Sequence, residues 1–220
     1  MADSLRLWLR QEASAVEERA PIVPGDAAAL TGAGVEVTVE DAPQRAFPAQ
    51  EYAAAGCRIV PAGSWPDAPP DTVVVGLKEP GGQPGPLRHR HVFFGHAYKG
   101  QAGGPEVLRR FVAGGGTLLD LEAMVDDDGR RVVAFGYWAG YAGAALAVLQ
   151  HRGALDPPLT STTRPALDAL LRERTGPGRA LVIGALGRSG RGALDALAVA
   201  GMPATAWDVA ETRELDRDAL

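Results

Sequence analysis

Strand-length apolar runs alternate with helix-like segments along the chain, and this alternation limits the fold more than any other feature. Short apolar runs at 5–9, 35–39, 57–60, 72–75, 91–94 and 117–119 predict strands. Segments 25–31, 49–55 and 105–112 predict helices, and the proline- and glycine-rich segments 65–70 and 80–86 predict loops. Strands separated by helices are typical of βαβ units, whose strands run parallel. We therefore expect an α/β fold with a Rossmann-like parallel sheet.

The composition narrows the classes of partner. The 220 residues are 46% hydrophobic and 22% charged, with a net charge of -5, which disfavours nucleic acid or an anionic membrane surface. The single cysteine, Cys57, cannot form an intrachain disulfide and fits a reducing compartment. The uncharged stretch 132–150 contains several glycines and indicates a buried helix rather than a membrane span. We predict a cytoplasmic protein with no nucleic-acid or membrane partner.

A glycine turn stands in the second half of the chain. Gly184, Gly187 and Gly190 follow the apolar run 181–183 with the spacing G-x-x-G-x-x-G, which on its own fits a dinucleotide site and an ordinary turn equally well. A predicted strand before it, a predicted helix after it and Asp208 beyond the next apolar run favour the dinucleotide site. At that position an aspartate accepts the ribose hydroxyls of NAD and disfavours a 2′-phosphate.

The segment between these halves is rich in small residues. Gly136, Gly140 and Ala144 are spaced so that another backbone can approach a long helix closely, and an amphipathic helix is predicted at 164–174. We predict an N-terminal substrate-binding and catalytic domain at 1–135, inter-domain helices at 136–175, and the start of an NAD-binding Rossmann domain at 176–220, which we expect to be incomplete.

Lysine is rare in this chain, and one lysine stands at a strand end. Lys78 and Lys99 are the two lysines among 22 basic residues. A desolvated lysine can act as a base whereas arginine keeps its proton, although codon bias also produces such a ratio. Lys78 follows the strand 72–75 and His96 follows the strand 91–94, so we expect both at the same sheet edge. Together they indicate an acid and a base.

The other histidines near this segment have a structural or a metal-binding interpretation. His89 and His91 lie two residues apart on a predicted strand and therefore on the same face. No cysteine and no HExxH pattern accompanies them, so we predict no metal site.

The chain resembles the NAD-dependent, lysine-forming saccharopine dehydrogenases, a branch of the alanine dehydrogenase and transhydrogenase-like group. Motifs spread over the whole chain carry the resemblance: 7–12, 18–21, 39–48, 51–52, 76–79 (GLKE), 96–103 (HAYKGQAG), 119–122 (LDLE), 129–132, 135–140 (FGYWAG), 184–188 and 207–212. It implies two Rossmann-like domains with the active site in the cleft between them. The family continues beyond the position of residue 220, so we expect exposed apolar surface here, with self-association or a complementing chain.

The resemblance also implies roles for individual residues. Lys78 would be the base and His96 the acid–base group, while Glu79 and Glu122 would adjust the acid–base balance of Lys78. The implied substrate-binding residues are Arg19, Lys78, Arg131 and Phe135. The implied NAD-binding residues are Gln101, Arg130, Gly187, Arg188, Asp208 and Thr212.

The activity that the resemblance implies is the NAD-dependent oxidative deamination of saccharopine, an amino-acid substrate, to L-lysine and 2-oxoglutarate. Two alternatives remain open on the sequence. One is an alanine dehydrogenase-like amino-acid dehydrogenase, since that group shares lysine and histidine chemistry. The other is a non-catalytic protein of the same descent that binds a ligand or a partner.

Overall fold

The computed structural model describes residues 5–82, 85–98, 100 and 103–213. The chain forms two compact units, Met1–Val133 and Ala134–Leu220, and each is considered by itself. The functional division at residues 135 and 175 stays a prediction. In the described part of the chain, no helix is long and apolar enough to cross a membrane.

The first unit is built on a parallel sheet. Its strands are β1 (Arg6–Leu9), β2 (Glu36–Glu40), β3 (Arg58–Val60), β4 (Val73–Val75), β5 (Arg90–Phe93) and β6 (Thr117–Asp120). All six are parallel, in the order β3-β2-β1-β4-β5-β6. This is the order of doubly wound nucleotide-binding sheets, in which ligands bind beyond the carboxyl ends of the strands where the order reverses. The predicted strands and the Rossmann-like fold are confirmed, and the reversal lies between β1 and β4.

Helices cover both faces of this sheet. They are α1 (Pro24–Gly32), α2 (Ala49–Ala54) and α3 (Gly104–Gly114), which confirm the three predicted helices. Leu9 packs with Ala27 and Tyr52 on the side of α1 and α2. Its neighbour Trp8 packs with the cluster of Phe111 on the side of α3, because successive side chains of a strand point to opposite faces. Both faces are therefore buried.

The segment 65–70 differs in part from the predicted loop. It opens with a single 3-10 turn, Trp65–Asp67, whose tryptophan is buried against the α3 face. The backbone N–H of Trp65 donates to the carboxylate of Glu40. A hydrogen bond therefore holds the backbone of the turn, and packing in the core holds its tryptophan side chain. The proline content of the segment predicted a loop, but burial of the Trp65 ring favours a regular turn at its start.

His89 and His91 lie in the core beneath the sheet. The ring of His91 is fully buried and packs edge-on against Trp65, at 5.1 Å between centroids, and Phe111, at 5.5 Å. Burial and, to a smaller degree, the neighbouring His89, Arg10 and Arg110 together lower the pKa of His91 to about 3. Among the described residues, no three His, Cys, Asp or Glu side chains converge as ligands of one metal ion. His91 therefore serves the packing of the core as a neutral ring.

The low pKa of His91 makes stability depend on pH. Between about pH 6.5 and about pH 3 the unfolded chain binds a proton that the folded chain does not, so acidification removes up to about 1.4 kcal/mol per pH unit through this group. We expect His91→Leu to show a shallower loss of unfolding free energy from about pH 7 to about pH 4. Urea titrations at several pH values measure this. If the unfolding free energy of His91→Leu depends on pH as steeply as that of the unsubstituted protein, the low pKa of His91 is contradicted. The difference between the two proteins at neutral pH measures the effect of the substitution on packing alone.

The described part of the second unit, residues 134–213, contains a two-stranded parallel sheet and four helices. The strands are β7 (Ala180–Ile183) and β8 (Ala204–Trp207), and the helices are α4 (Gly136–His151), α5 (Arg164–Glu173), α6 (Arg188–Val199) and α7 (Val209–Thr212). The core of the unit joins α4 and α6 to β7 through Tyr141, Ala145, Leu197 and Val182. The predicted strand–turn–helix at residues 181–190 is confirmed.

Glycines allow α4 and α6 to meet backbone to backbone. A Cβ atom on Gly140 would lie 2.7 Å from Ser189 Cα, and one on Gly192 would lie 2.9 Å from Tyr141 N, closer than real Cβ contacts occur. The prediction that small residues on this helix admit another backbone is confirmed, and the approaching helix is α6. This contact fixes the start of α6 and with it the end of the glycine turn.

The close contact predicts opposite effects for two glycine substitutions in α4. Gly140→Ala forces the helices apart and should lower the free energy of unfolding by about 1–3 kcal/mol. Gly143→Ala has open space and should raise it by about 0.5–1 kcal/mol, because alanine favours the helix. Chemical denaturation of both variants measures the difference. Equal effects would contradict the close packing.

Candidate active site

The backbone at Lys78 is held by a buried ion pair from the neighbouring strand. Glu12 accepts hydrogen bonds from Leu77 N at 2.7 Å and Lys78 N at 3.1 Å, and Arg10 donates to the carbonyl of Lys78. Arg10 and Glu12 lie 3.4 Å apart and are only 2% and 6% exposed. A Cβ atom on Gly76 would lie 2.5 Å from Arg10 Cζ, so this position must be glycine for the guanidinium to pass.

Glu40 extends this buried network across the sheet edge. Its carboxylate accepts four hydrogen bonds, from Trp8 Nε1, Gln11 N, Gly63 N and Trp65 N. Arg45 donates to the carbonyls of Glu40 and Arg10. Burial lowers the pKa of both the Arg10 and Arg45 guanidinium groups. Sequence reasoning assigned no role to these residues, although Arg10 and Glu40 are charged residues at the ends of apolar runs.

Lys78 and His96 line one cavity at the carboxyl edge of the sheet, as predicted. The cavity has a volume of 460 Å³. It is lined by segments that follow β1, β4 and β5 and by the start of α3: Ala13, Ser14, Lys78, Glu79, Gly81, Phe94, Gly95, His96 and Gly104. The side chains of Lys78 and Glu79 are exposed. The predicted base and the predicted acid–base group therefore line one solvent-accessible cavity.

His96, Glu122 and Arg131 form a chain of ionisable side chains. His96 Nδ1 lies 3.2 Å from Glu122 Oε2, and Glu122 Oε1 lies 2.9 Å from Arg131 Nη1. The first contact is within ion-pair range, but Nδ1 lacks the geometry of a hydrogen bond. The His96 ring stacks on Phe94, with 17° between the planes. The structure thus brings together three residues predicted for the site.

Arg19 is paired with a glutamate that sequence reasoning did not select. It donates to both oxygens of Glu17, at 2.7 Å and 2.5 Å, while its own side chain stays 50% exposed. The pKa of Glu17 is lowered, chiefly by its hydrogen bond from Arg19 and to a smaller degree by the positive charge of Lys78. Arg19 and Lys78 therefore act on the same carboxylate.

The glycine turn in the second unit has the geometry of a phosphate-binding turn. Gly184 has a φ of 78°, a conformation that glycine adopts readily. A Cβ atom on Gly190 would lie 2.6 Å from Ala185 Cα, so glycine permits α6 to pack on the turn. Gly187 precedes α6 without a side-chain cap and Arg188 is the first helical residue, which leaves backbone N–H groups at the positive end of the helix dipole.

Asp208 joins the glycine turn to the end of β8. Its Oδ2 accepts from Leu186 N at 2.8 Å and its Oδ1 from Val209 N at 2.9 Å, and these bonds lower the pKa of Asp208. Thr212 Oγ1 donates to the Asp208 carbonyl at 2.7 Å. A carboxylate offers about four acceptor positions, so each oxygen keeps capacity for a ribose hydroxyl. These residues fit a dinucleotide.

The remaining predicted residues lie in three places. Arg130 pairs with Asp128 at 3.0 Å on an exposed turn of the first unit. Phe135 precedes α4 in the second unit and is 41% exposed. Gln101, like Lys99, lies outside the described residues.

The fold and these two groups of side chains define an α/β protein with a lysine–histidine site at one sheet edge and a separate glycine turn that fits a dinucleotide. The family model for alanine dehydrogenase/PNT, N-terminal domain, matches residues 8–142. The chain belongs to this family.

Its relatives include lysine-forming saccharopine dehydrogenases. The chain is 44% identical to saccharopine dehydrogenase [NAD(+), L-lysine-forming] of Candida glabrata, over 95% of this chain and 62% of the relative. It is 45% identical to the protein of the same name from Neurospora crassa, over 94% of this chain and 60% of the relative. Among solved structures, a transhydrogenase from Sinorhizobium meliloti matches with a TM-score of 0.65 at 22% identity, over 93% of this chain and 56% of that chain, which confirms the fold.

The buried pair at Lys78 should matter far more to stability than an exposed pair of the same kind. Glu12→Gln leaves Arg10 without its paired carboxylate in the interior and should lower the free energy of unfolding by about 3 kcal/mol. The matched control is Glu36→Gln, which removes one of the two carboxylate partners of the half-exposed Arg6, at 3.1 Å, and should change the free energy of unfolding by at most about 0.5 kcal/mol. Urea denaturation of both variants tests this. Similar losses of unfolding free energy in Glu12→Gln and Glu36→Gln would contradict a special contribution of the buried pair to stability.

Proposed function

We propose that this chain carries the acid–base site of an NAD-dependent dehydrogenase that converts saccharopine to L-lysine and 2-oxoglutarate. The observation that carries the proposal is that Lys78 and His96, which follow the neighbouring parallel strands β4 and β5, line one cavity. The likeness to saccharopine dehydrogenases supports the choice of substrate. Since the chain spans about three-fifths of those relatives, their activity is carried over here as a proposal.

Lys78 and His96 divide the proton transfers. Lys78 removes the proton from the secondary amine of the substrate. The cofactor chemistry would be hydride acceptance from the adjacent carbon by bound NAD. The substrate is then an imine. His96 takes a proton from the water that adds to the imine carbon and passes it to the imine nitrogen, which gives a carbinolamine. It then takes the hydroxyl proton of the carbinolamine and delivers it to the same nitrogen as the carbon–nitrogen bond breaks, which leaves L-lysine and 2-oxoglutarate. The pairing of His96 with Glu122 supports this role, since a carboxylate stabilises imidazolium.

Arg19 and Arg131 bind carboxylates of the substrate, and Lys78 and Phe135 are the other proposed substrate-binding residues. Both arginines are already oriented, Arg19 by Glu17 and Arg131 by Glu122. The planar guanidinium matches the geometry of a carboxylate, which suits both arginines to this role. Glu79 and Glu122 adjust the charge balance of the site.

Gly187, Arg188, Asp208 and Thr212 hold NAD, together with Gln101 and Arg130. The start of α6, with its backbone N–H groups and the positive end of the helix dipole, suits the pyrophosphate. The carboxylate of Asp208 suits ribose hydroxyls while repelling a 2′-phosphate. This charge selects NAD over its phosphorylated form.

Two further features belong to the proposal. A cytoplasmic location follows from the single cysteine and stays a prediction. Self-association, or pairing with a complementing chain, is supported by the exposed side chains of Leu181 and Ile183 on β7.

The proposal is tested by turnover of saccharopine. We expect NADH formation with the purified chain, and a loss of at least about 100-fold in Lys78→Met and in His96→Asn, since each removes a proton-transfer group. Asparagine tolerates the left-handed backbone at position 96, where φ is 49°. The matched control Arg6→Met removes a long cation at the amino end of β1 and should keep full activity.

Three outcomes would contradict the proposal. Absence of turnover, with a melting temperature that NAD leaves unchanged, would overturn it. Turnover of alanine in place of saccharopine would favour the alanine dehydrogenase-like activity. Binding of saccharopine without turnover would favour the non-catalytic alternative.

A further inference from the structure

Asp120 links the two loops that carry His96 and Glu122. It is the last residue of β6 and stands opposite Phe93 in the pairing of β5 with β6. Its Oδ1 accepts hydrogen bonds from Gly95 N at 3.1 Å and from Glu122 N at 2.9 Å. One carboxylate oxygen therefore holds the residue before His96 and the backbone of its ion-pair partner.

Gly95 permits this contact because it has no side chain. A Cβ atom on Gly95 would lie 3.2 Å from Asp120 Oδ2 and 3.0 Å from Leu118 Cδ2. Most real Cβ contacts are longer, so a side chain at this position would push the carboxylate away. The glycine allows Asp120 to reach the backbone N–H that precedes His96.

The backbone of His96 needs such support. Its φ of 49° lies in the left-handed region, which costs a non-glycine residue about 1–2 kcal/mol. Residues keep this conformation when the surrounding structure determines it. For His96 the described surroundings include the Gly95–Asp120 hydrogen bond on the preceding residue and the stacked ring of Phe94.

We infer that Asp120 is a positioning residue, which sets the distance between His96 and Glu122 by accepting the backbone N–H groups of Gly95 and Glu122. It touches neither substrate nor cofactor in the proposed reaction. The catalytic meaning of the inference rests on the proposed function, but the geometry that it describes does not. Asp120 acts as an acceptor, so an amide in its place serves the same purpose and a methyl group does not.

The test measures the coupling between His96 and Glu122 by NMR in the full chain. The probe is the Cε1–H signal of His96, assigned by its absence in His96→Asn. Glu122→Gln should shift this signal, because it removes a charge near Nδ1. In an Asp120→Ala background the same substitution should shift it by less than about half as much, whereas an Asp120→Asn background should keep most of the shift.

Gly95→Ala provides a second route to the same answer. The added methyl group should displace the carboxylate and reduce the coupling while Asp120 itself stays in place. If Asp120→Ala fails to fold, as judged by its thermal unfolding, Gly95→Ala alone decides.

The inference is overturned if the shift caused by Glu122→Gln is undiminished in the folded Asp120→Ala or Gly95→Ala protein, or if that shift is absent in the otherwise unsubstituted chain. The measurement requires no turnover. A chain that shows the coupling without oxidising saccharopine would contradict the proposed function and leave the role of Asp120 intact.

Discussion

The placement of Lys78 depends on one buried ion pair. Arg10 and Glu12 follow β1, and together they contact the backbone N–H and carbonyl groups at Lys78, beyond the end of β4. A buried charge is stable only with an opposite charge beside it and with hydrogen bonds to its polar atoms. Arg10 and Glu12 are each other's opposite charge, and the backbone at Lys78 supplies further hydrogen bonds to both. β1 and β4 are neighbours where the strand order reverses. Because the ion pair follows one of these strands and Lys78 follows the other, the pair fixes the position of Lys78 relative to β1.

Carboxylates recur where the strands of both units end. Glu40 ends β2 and Asp120 ends β6, while Glu12 and Asp208 stand just beyond β1 and β8. Each accepts backbone N–H groups from a neighbouring loop. Where parallel pairing stops, backbone N–H groups lose their ladder partners and need other acceptors if they are removed from water. The same solution therefore fixes the lysine–histidine site in one unit and the glycine turn in the other.

The sequence predicts the elements of this fold better than the contacts between them. Strand and helix periodicities are local, so β1 to β7 were predictable, and the meeting of Lys78 and His96 followed from parallel topology. The roles of Glu12 and Glu17 could not be predicted from the sequence, because each role depends on a contact that forms only in the folded chain. A charged residue at the end of an apolar run, such as Glu40, was the available signal.

Contacts distant along the chain also determine when the site can form. Glu12 reaches Leu77 and Lys78 across 65 and 66 positions, and Arg10 reaches Lys78 across 68. Closing a loop of that length costs entropy before any hydrogen bond compensates for it, and parallel strands cannot pair without such closures. During synthesis, Arg10 and Glu12 must stay hydrated until β4 has left the ribosome. The lysine reaches its working position only in a chain whose central strands have already joined.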